Sequence, residues 1–212
     1  TGVRRVHAIE VSPLEGYVYF TEANRGQLLR VPIGSEATEA GAAAIAAASR
    51  AASELHILQT GLRDPRGLAL GALPTAMGGT GGVTEGDVYF TEMAGRIYRG
   101  RRDGSLLASH GRTRGGETRG QRQQLVRLSS RSRLDGLAVD IESGMLYWGE
   151  ANTNVIRAAD VFGVGLKTVV RRSADVVWPR ALLLLPAHTR TATGKRVLVW
   201  THFLGVISRA AT

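Results

Sequence analysis

Residues Leu134-Asp135-Gly136-Leu137-Ala138-Val139-Asp140-Ile141-Glu142-Ser143-Gly144-Met145-Leu146-Tyr147-Trp148-Gly149-Glu150 hold two apolar runs, and both recur along the chain. The second run returns as Tyr19-Phe20-Thr21-Glu22, as Tyr89-Phe90-Thr91-Glu92 and, more loosely, as Val199-Trp200-Thr201-His202. The first returns as Ala8-Ile9-Glu10-Val11, Gly67-Leu68-Ala69-Leu70 and Ala181-Leu182-Leu183-Leu184. An aliphatic residue follows each aromatic anchor: Leu28, Ile97, Ile156 and Ile207 lie 9, 8, 9 and 8 positions beyond its first residue. Spacing this constant marks one supersecondary unit used four times, none of which can bury its own apolar faces.

The anchors are β-branched or aromatic and bounded by turn residues, so they read as strands. Tyr17-Val18-Tyr19-Phe20 and Met145-Leu146-Tyr147-Trp148 are apolar on both faces. A strand of that kind is covered on both sides, and small sheets stacked radially supply the cover without helices. The pattern therefore predicts a β-propeller. The expected strands cover about residues 6–11, 16–22, 27–32 and 55–59 in the first blade, and about 66–70, 86–91, 95–100 and 123–128 in the second. In the third they cover about 135–140, 145–149, 154–159 and 166–171, and in the fourth about 181–185, 196–201 and 205–210, with the last strand missing. The blades are expected at about 5–60, 61–128, 129–172 and 173–212.

Successive anchors lie 70, 58 and 52 residues apart, more than a compact blade requires, so insertions are expected at about 35–54, 74–85 and 101–122. The first holds ten Ala between Ala37 and Ala52, a helix or a disordered excursion; a Thr/Ala/Gly stretch from Thr189 to Gly194 interrupts the fourth blade. The third is basic. Of the net +9 charge of the 212 residues, +7 falls between Arg101 and Arg133, where nine Arg meet only Asp103 and Glu117. The simplest account is a solvated insertion; the functional alternative is a polyanion contact through Arg112, Arg114, Arg119 and Arg122. No aromatic residue is interleaved there to stack on bases, which argues against sequence-specific nucleic-acid recognition. No run approaches the length of a membrane span, and the chain opens at Thr1 without a signal segment, as a fragment or processed product would. Zero cysteines exclude a disulfide framework and leave the compartment open.

The stretch 134–150, continued through Asn154-Val155-Ile156-Arg157-Ala158-Ala159-Asp160, resembles a low-density-lipoprotein-receptor class B repeat, the Tyr-Trp-Thr-Asp family of six-bladed (TolB-like) propellers. Asp64-Pro65-Arg66-Gly67-Leu68-Ala69-Leu70 and Trp178-Pro179-Arg180-Ala181-Leu182 resemble first strands of neighbouring blades in that family, Arg30, Arg99 and Arg209 its third-strand Arg, and Asp103-Gly104 its blade turn. The resemblance implies about four blades of an incomplete six-bladed array, a protein-binding rather than catalytic role in a larger receptor-like or structural protein, and an extracellular or luminal location. The departures are Glu22, Glu92 and Glu150 in place of the signature Asp, His202 in the fourth blade, and Gly149 in place of Thr. These acids are expected to tie blade to blade.

Catalytic signatures are missing. Channel-facing acids would come from Glu10, Asp135 and Asp140, but Leu70 and Leu184 hold the matching places in the other blades, so no ring of calcium ligands forms. The five His are scattered, and no nucleophile elbow or phosphate loop occurs. No cofactor or metal is expected, and no enzyme activity. The partner is expected to be a protein ligand, or further blades of the same polypeptide. Arg66, Asp135, Trp178 and Arg180, at the starts of first strands where propeller loops converge on one rim, are the candidate contact residues. The blade motif itself, Tyr19, Glu22, Tyr89, Glu92, Tyr147, Trp148, Glu150 and Trp200, is assigned to architecture. Two alternatives remain: a strictosidine-synthase-like or gluconolactonase-like enzyme, and a propeller subunit of a large assembly.

Overall fold

Among the described residues, fifteen strands follow one another in sequential antiparallel order. The structure, a computed structural model, describes residues 3–33, 55–71, 86–105, 107, 122–129, 131–171, 176–186, 189, 191, 192, 194–203, 205 and 207–212. The first blade comprises β1 (Val6–Ser12), β2 (Tyr17–Glu22), β3 (Gln27–Pro32) and β4 (His56–Gln59). The second has β5 (Pro65–Leu70), β6 (Asp87–Glu92), β7 (Arg96–Arg101) and β8 (Arg122–Arg127); the third has β9 (Leu134–Asp140), β10 (Met145–Glu150), β11 (Val155–Asp160) and β12 (Lys167–Val170). The fourth has β13 (Pro179–Leu184), β14 (Val197–His202) and β15 (Ile207–Ala211). Each group is its own sheet, and the four are arranged as blades of a β-propeller with first strands innermost and packed in series. The Ala-rich stretch, the 74–82 loop and Arg112, Arg114 and Arg119 lie outside the described residues.

The recurrent anchor residues divide their work between neighbours. Tyr19, Tyr89 and Tyr147 each face the following blade; Phe90, Trp148 and Trp200, one position later in the motif, each face the preceding one. Tyr19 meets Phe90 between blades 1 and 2, Tyr89 meets Trp148 between 2 and 3, and Tyr147 meets Trp200 between 3 and 4. Consecutive strand residues point to opposite faces, so an aromatic pair in sequence serves two interfaces at once. That is why the text is apolar without alternation.

A second device ties the blades together. The register of each first strand slips by a bulge at the same place: between Val6 and Ile9, between Pro65 and Leu68, at Leu134–Leu137 opposite Trp148 and Glu150, and between Pro179 and Leu182. The bulge frees an N–H, and the signature Thr takes it: Ala8 N–H donates to Thr21 Oγ1 (3.2 Å) and Gly67 N–H to Thr91 Oγ1 (2.8 Å). Each hydroxyl then donates onward to the next blade, Thr21 to Arg66 O at 3.0 Å and Thr91 to Asp135 O at 3.3 Å. Blade 3 has Gly149 in place of this Thr. A Cβ there would stand 2.9 Å from Pro179 O and 3.0 Å from Pro179 Cβ, so β13 approaches this position more closely than a side chain allows, although Thr21 is accommodated opposite Pro65, the equivalent proline of blade 2.

The expectation that the signature acids tie blade to blade is corrected. Glu22 accepts from Asn24 N–H and Arg25 N–H in its own turn, and Glu150 from Thr153 Oγ1, with Arg157 Nε at 2.8 Å. Glu92 accepts from Arg63 N–H at the entry to its own blade, and His202 replaces it in blade 4 by accepting from Val177 N–H at 3.1 Å. These side chains find donors within their own blades, and in blades 1 and 2 the blade-to-blade bond falls to the Thr beside them. The left-handed turn residues that follow are Gly26 (φ 61), Gly95 (φ 75) and Asn154 (φ 55).

Candidate functional site at the channel mouth

The first strands line an axial channel, and its mouth is a cavity of about 430 Å³ walled by residues 7–10, 66–68, 135–137 and 180–182 with Thr201. Three of the four candidate contact residues meet there. Arg66 Nη2 donates to Asp64 Oδ2 at 2.9 Å, while its Nη1 lies 3.2 Å from His7 Nδ1 and 3.7 Å from Asp135 Oδ1. Arg180 Nε approaches the other Asp135 oxygen at 3.8 Å. Asp135 thus stands between two guanidinium groups from the blades on either side. Burial pushes its carboxyl above the usual carboxylate range against the pull of Arg180 and Arg66, and burial with Arg66 holds the His7 imidazole below its ordinary value. His7 Nε2, Arg66 Nε and Asp64 Oδ1 are buried at this mouth with no hydrogen-bond partner among the described residues.

Trp178, the fourth candidate, lies beside the mouth rather than in it. Its backbone N–H donates to Asn154 Oδ1 at 2.9 Å, and its indole, 42% exposed, meets the Phe203 ring edge-on at 4.8 Å. The Arg180 guanidinium sits 5.8 Å from the same ring. Backbone geometry aims these side chains: Arg5 (φ 59), Asp64 (φ 51) and Trp178 (φ 46) hold equivalent places two residues before His7, Arg66 and Arg180, all left-handed. One backbone device thus presents three different side chains on one rim. Phe203 carried no sequence signal, since it falls after the loosest copy of the motif.

Glu10 occupies the channel between this mouth and a second cavity of about 430 Å³ at the opposite end, lined by Leu70, Arg102, Val139 and Leu184 among others. Burial raises its pKa to about 6 although Arg102 pulls the other way. A carboxyl that keeps its proton to about pH 6 when folded, against about 4.5 unfolded, stabilises the fold fully below pH 4.5 and loses that contribution as pH rises through 6. Glu10→Gln is therefore expected to gain stability on the parent at pH 7, by at most about 2 kcal/mol, with the difference closing near pH 4. Urea titrations at the two pH values check this, and an equal offset at both would show that the charge of Glu10 is not responsible. Among the described residues no three His, Asp or Glu side chains converge closely enough to hold a metal ion.

Arg102 is the residue that sequence reasoning passed over as part of the basic stretch. It is 4% exposed and spans blades 1 and 2: Nη1 donates to Glu15 Oε2 at 2.6 Å, Nε to Asp87 O at 3.1 Å, and Nη2 to Gly71 O. Arg122 is also corrected. It opens strand β8 instead of belonging to a free loop, donates through Nη1 to Thr60 O at 2.9 Å, and rests over the Tyr98 ring at 5.2 Å, so its guanidinium is already engaged.

No family model and no curated protein matches the chain. Solved structures do. The chain resembles a structure from the nidogen/laminin complex (TM-score 0.58, 16% identity, covering 92% of this chain and 60% of that one). It also resembles a streptogramin B lyase (TM-score 0.54, 16% identity, 97% and 54%). A third likeness is to regucalcin, a calcium-binding protein of Agrobacterium tumefaciens (TM-score 0.53, 12% identity, 92% and 52%). The chain spans little more than half the length of these structures. Binding proteins and an enzyme stand side by side among them, and at such identities what the likeness establishes is the β-propeller fold.

Proposed function

We propose that the chain is a non-catalytic protein-interaction module of the Tyr-Trp-Thr-Asp propeller type, belonging to a receptor-like or structural protein that works outside the cell or in a lumen. The observation that carries this reading is the rim cluster of Trp178, Phe203 and Arg180. Two aromatic rings, 42% and 55% exposed, are held edge-on beside a guanidinium that Asp135 steadies. Trp and Arg fixed in this way lose little freedom on binding and are the side chains most often found at interface hot spots. The paired charges behind them, Arg66 with Asp64 and Asp135, give the mouth polar specificity without a single dominant sign.

Panning a random peptide library on the chain tests the proposal, because the surface itself then selects the ligand chemistry it prefers. Enriched peptides are expected to protect Trp178, Arg180 and Phe203 from hydrogen exchange or footprinting reagents. The double variant Trp178→Ala, Arg180→Ala should weaken their binding more than tenfold with the fold retained. Peptides that map elsewhere, or that bind the double variant unchanged, would remove the rim from consideration.

A second reading rests on Glu10. A channel carboxyl with a pKa near 6 is suited to proton transfer near neutral pH, as a propeller enzyme would require. Turnover of a streptogramin B or a simple lactone, abolished in Glu10→Gln, would favour it over the binding role.

A further inference from the structure

The positive charge concentrated between Arg101 and Arg133 divides when the chain folds. Arg101 closes β7 at one rim of the array, whereas Arg127, Arg131 and Arg133 reach the opposite rim, the one that carries the channel mouth. There they join Arg63, from the connection leading into β5, around two adjoining cavities. The larger, about 510 Å³, opens between Arg63, Arg131 and Arg133 over Met93 and Ala94. The smaller, about 290 Å³, is lined by Arg63, Arg96, Arg122 and Arg127. With Arg63 common to both, six arginines face two acids, Asp64 and Glu92. Both acids are already matched: Arg66 Nη2 donates to Asp64 Oδ2 at 2.9 Å, and Arg96 Nη1 to Glu92 Oε2 at 3.2 Å. Arg63, Arg127, Arg131 and Arg133 are exposed, and their guanidinium groups meet no carboxylate among the described residues.

The main chain beneath these arginines is fixed. Arg63 N–H donates to Glu92 Oε1 at 2.9 Å, Met93 N–H to Asp64 O at 3.0 Å and Leu134 N–H to Met93 O at 3.2 Å. Arg133 N–H donates to Asn152 Oδ1 at 3.0 Å while its carbonyl accepts from Ala151 N–H at 2.8 Å, which anchors this segment to blade 3. An anion settling here therefore has only side chains to order. The trench lies over blade 2, whose seams with blades 1 and 3 are both closed within this chain, so its exposure owes nothing to the terminal blades.

We propose that this trench binds a linear sulfated polysaccharide. A guanidinium group pairs with an oxyanion through two parallel N–H···O bonds, and spaced arginines match a chain that carries such anions on successive sugars. A nucleic acid would bring phosphates as well, but its bases need faces to stack on, and Tyr98, 8% exposed, already lies under Arg122 at 5.2 Å. An acidic peptide would need apolar anchors, and the larger cavity offers only Met93 and Ala94, both half-buried. The site is separate from Trp178, Phe203 and Arg180 and does not depend on the function proposed above.

Calorimetric titration with a size-defined heparin oligosaccharide at physiological salt tests it. The parent is expected to bind, and to ignore the same oligosaccharide stripped of its sulfates. Arg63→Ser, Arg131→Ser and Arg133→Ser combined should weaken binding by about tenfold or more and lower the slope of log K against log salt by roughly 1 for each arginine removed. Arg112→Ser, Arg114→Ser and Arg119→Ser combined remove the same charge from the sequence between β7 and β8, and should weaken binding less than about threefold. On the parent, the oligosaccharide should shield Arg63, Arg131 and Arg133 from phenylglyoxal, a readout that holds even if the first triple variant folds poorly. Absence of binding by the parent, equal losses in the two triple variants, or unshielded Arg63, Arg131 and Arg133 would overturn the proposal. Single-stranded DNA or polyglutamate of matched length binding as tightly as the oligosaccharide would overturn it too, by reducing the trench to a patch of unselective charge.

Discussion

Gly136→Ala is expected to part blades 3 and 4, costing roughly 3 kcal/mol or more. A Cβ at Gly136 would approach the Arg180 carbonyl oxygen to 2.0 Å and Leu182 N to 2.7 Å, both main-chain atoms of the adjacent first strand. Neither can move aside as a side chain would. The relief has to come from sliding β13 away from β9, which loosens the contacts of Leu182, Leu198 and Trp200 against Tyr147 and Ile156. Gly67→Ala should act in the same way between blades 2 and 3, where the obstacle is Asp135 O at 2.3 Å. Gly16→Ala is a useful contrast, because no atom lies within 4 Å of its Cβ and its penalty comes only from a left-handed φ of 70. Chemical denaturation of the three variants checks the order. Equal losses would show that crowding between first strands is not what the glycines prevent.

Arg102→Ala is expected to cost about 2–4 kcal/mol, since it removes the cation from a partly buried Glu15 and the side-chain donor from the Gly71 carbonyl, while Glu15 keeps the Tyr19 hydroxyl and Asp87 O keeps Gly71 N–H. Arg102→Met keeps much of the side-chain volume but not the bonds, so it should recover little. If the methionine variant is as stable as the parent, Arg102 acts as a spacer and the network around it contributes nothing. The loss should appear as lowered exchange protection between β1–β4 and β5–β8, with the interface of blades 3 and 4 less affected, because coupling in a stacked array passes between nearest neighbours.

The strands were legible because the repeat aligns four copies of each, and their observed ends lie within two residues of the expected ones. The meeting of Arg66, Asp135 and Arg180 was legible for the same reason: residues equivalent in successive first strands must converge on the axis. What escaped was chemistry decided by reach. Glu was expected to bridge blades, but an acid beside a turn finds its N–H groups nearer than the next sheet, as Glu22 does with Asn24 and Arg25. Arg102 could not be told from Arg101 by sequence, although one is buried and the other half-exposed; only the packing of blade 1 on blade 2 separates them. Arg122 falls at the last position of the expected loop, yet it is the first residue of its strand.

At Gly149 the main chain of β13 stands closer to β10 than a side chain at that position allows, with Pro179 O 2.9 Å and Pro179 Cβ 3.0 Å from a Cβ placed there. A proline alone does not impose this, because Thr21 faces Pro65, the equivalent residue of blade 2. The third seam therefore does without the threonine relay that links blades 1 to 2 and 2 to 3. Its register is set instead by the fit of Tyr147, Ile156, Leu198 and Trp200 and by the Asp135–Arg180 pair. Two seams of this array are joined by a directional bond and the third by shape and charge.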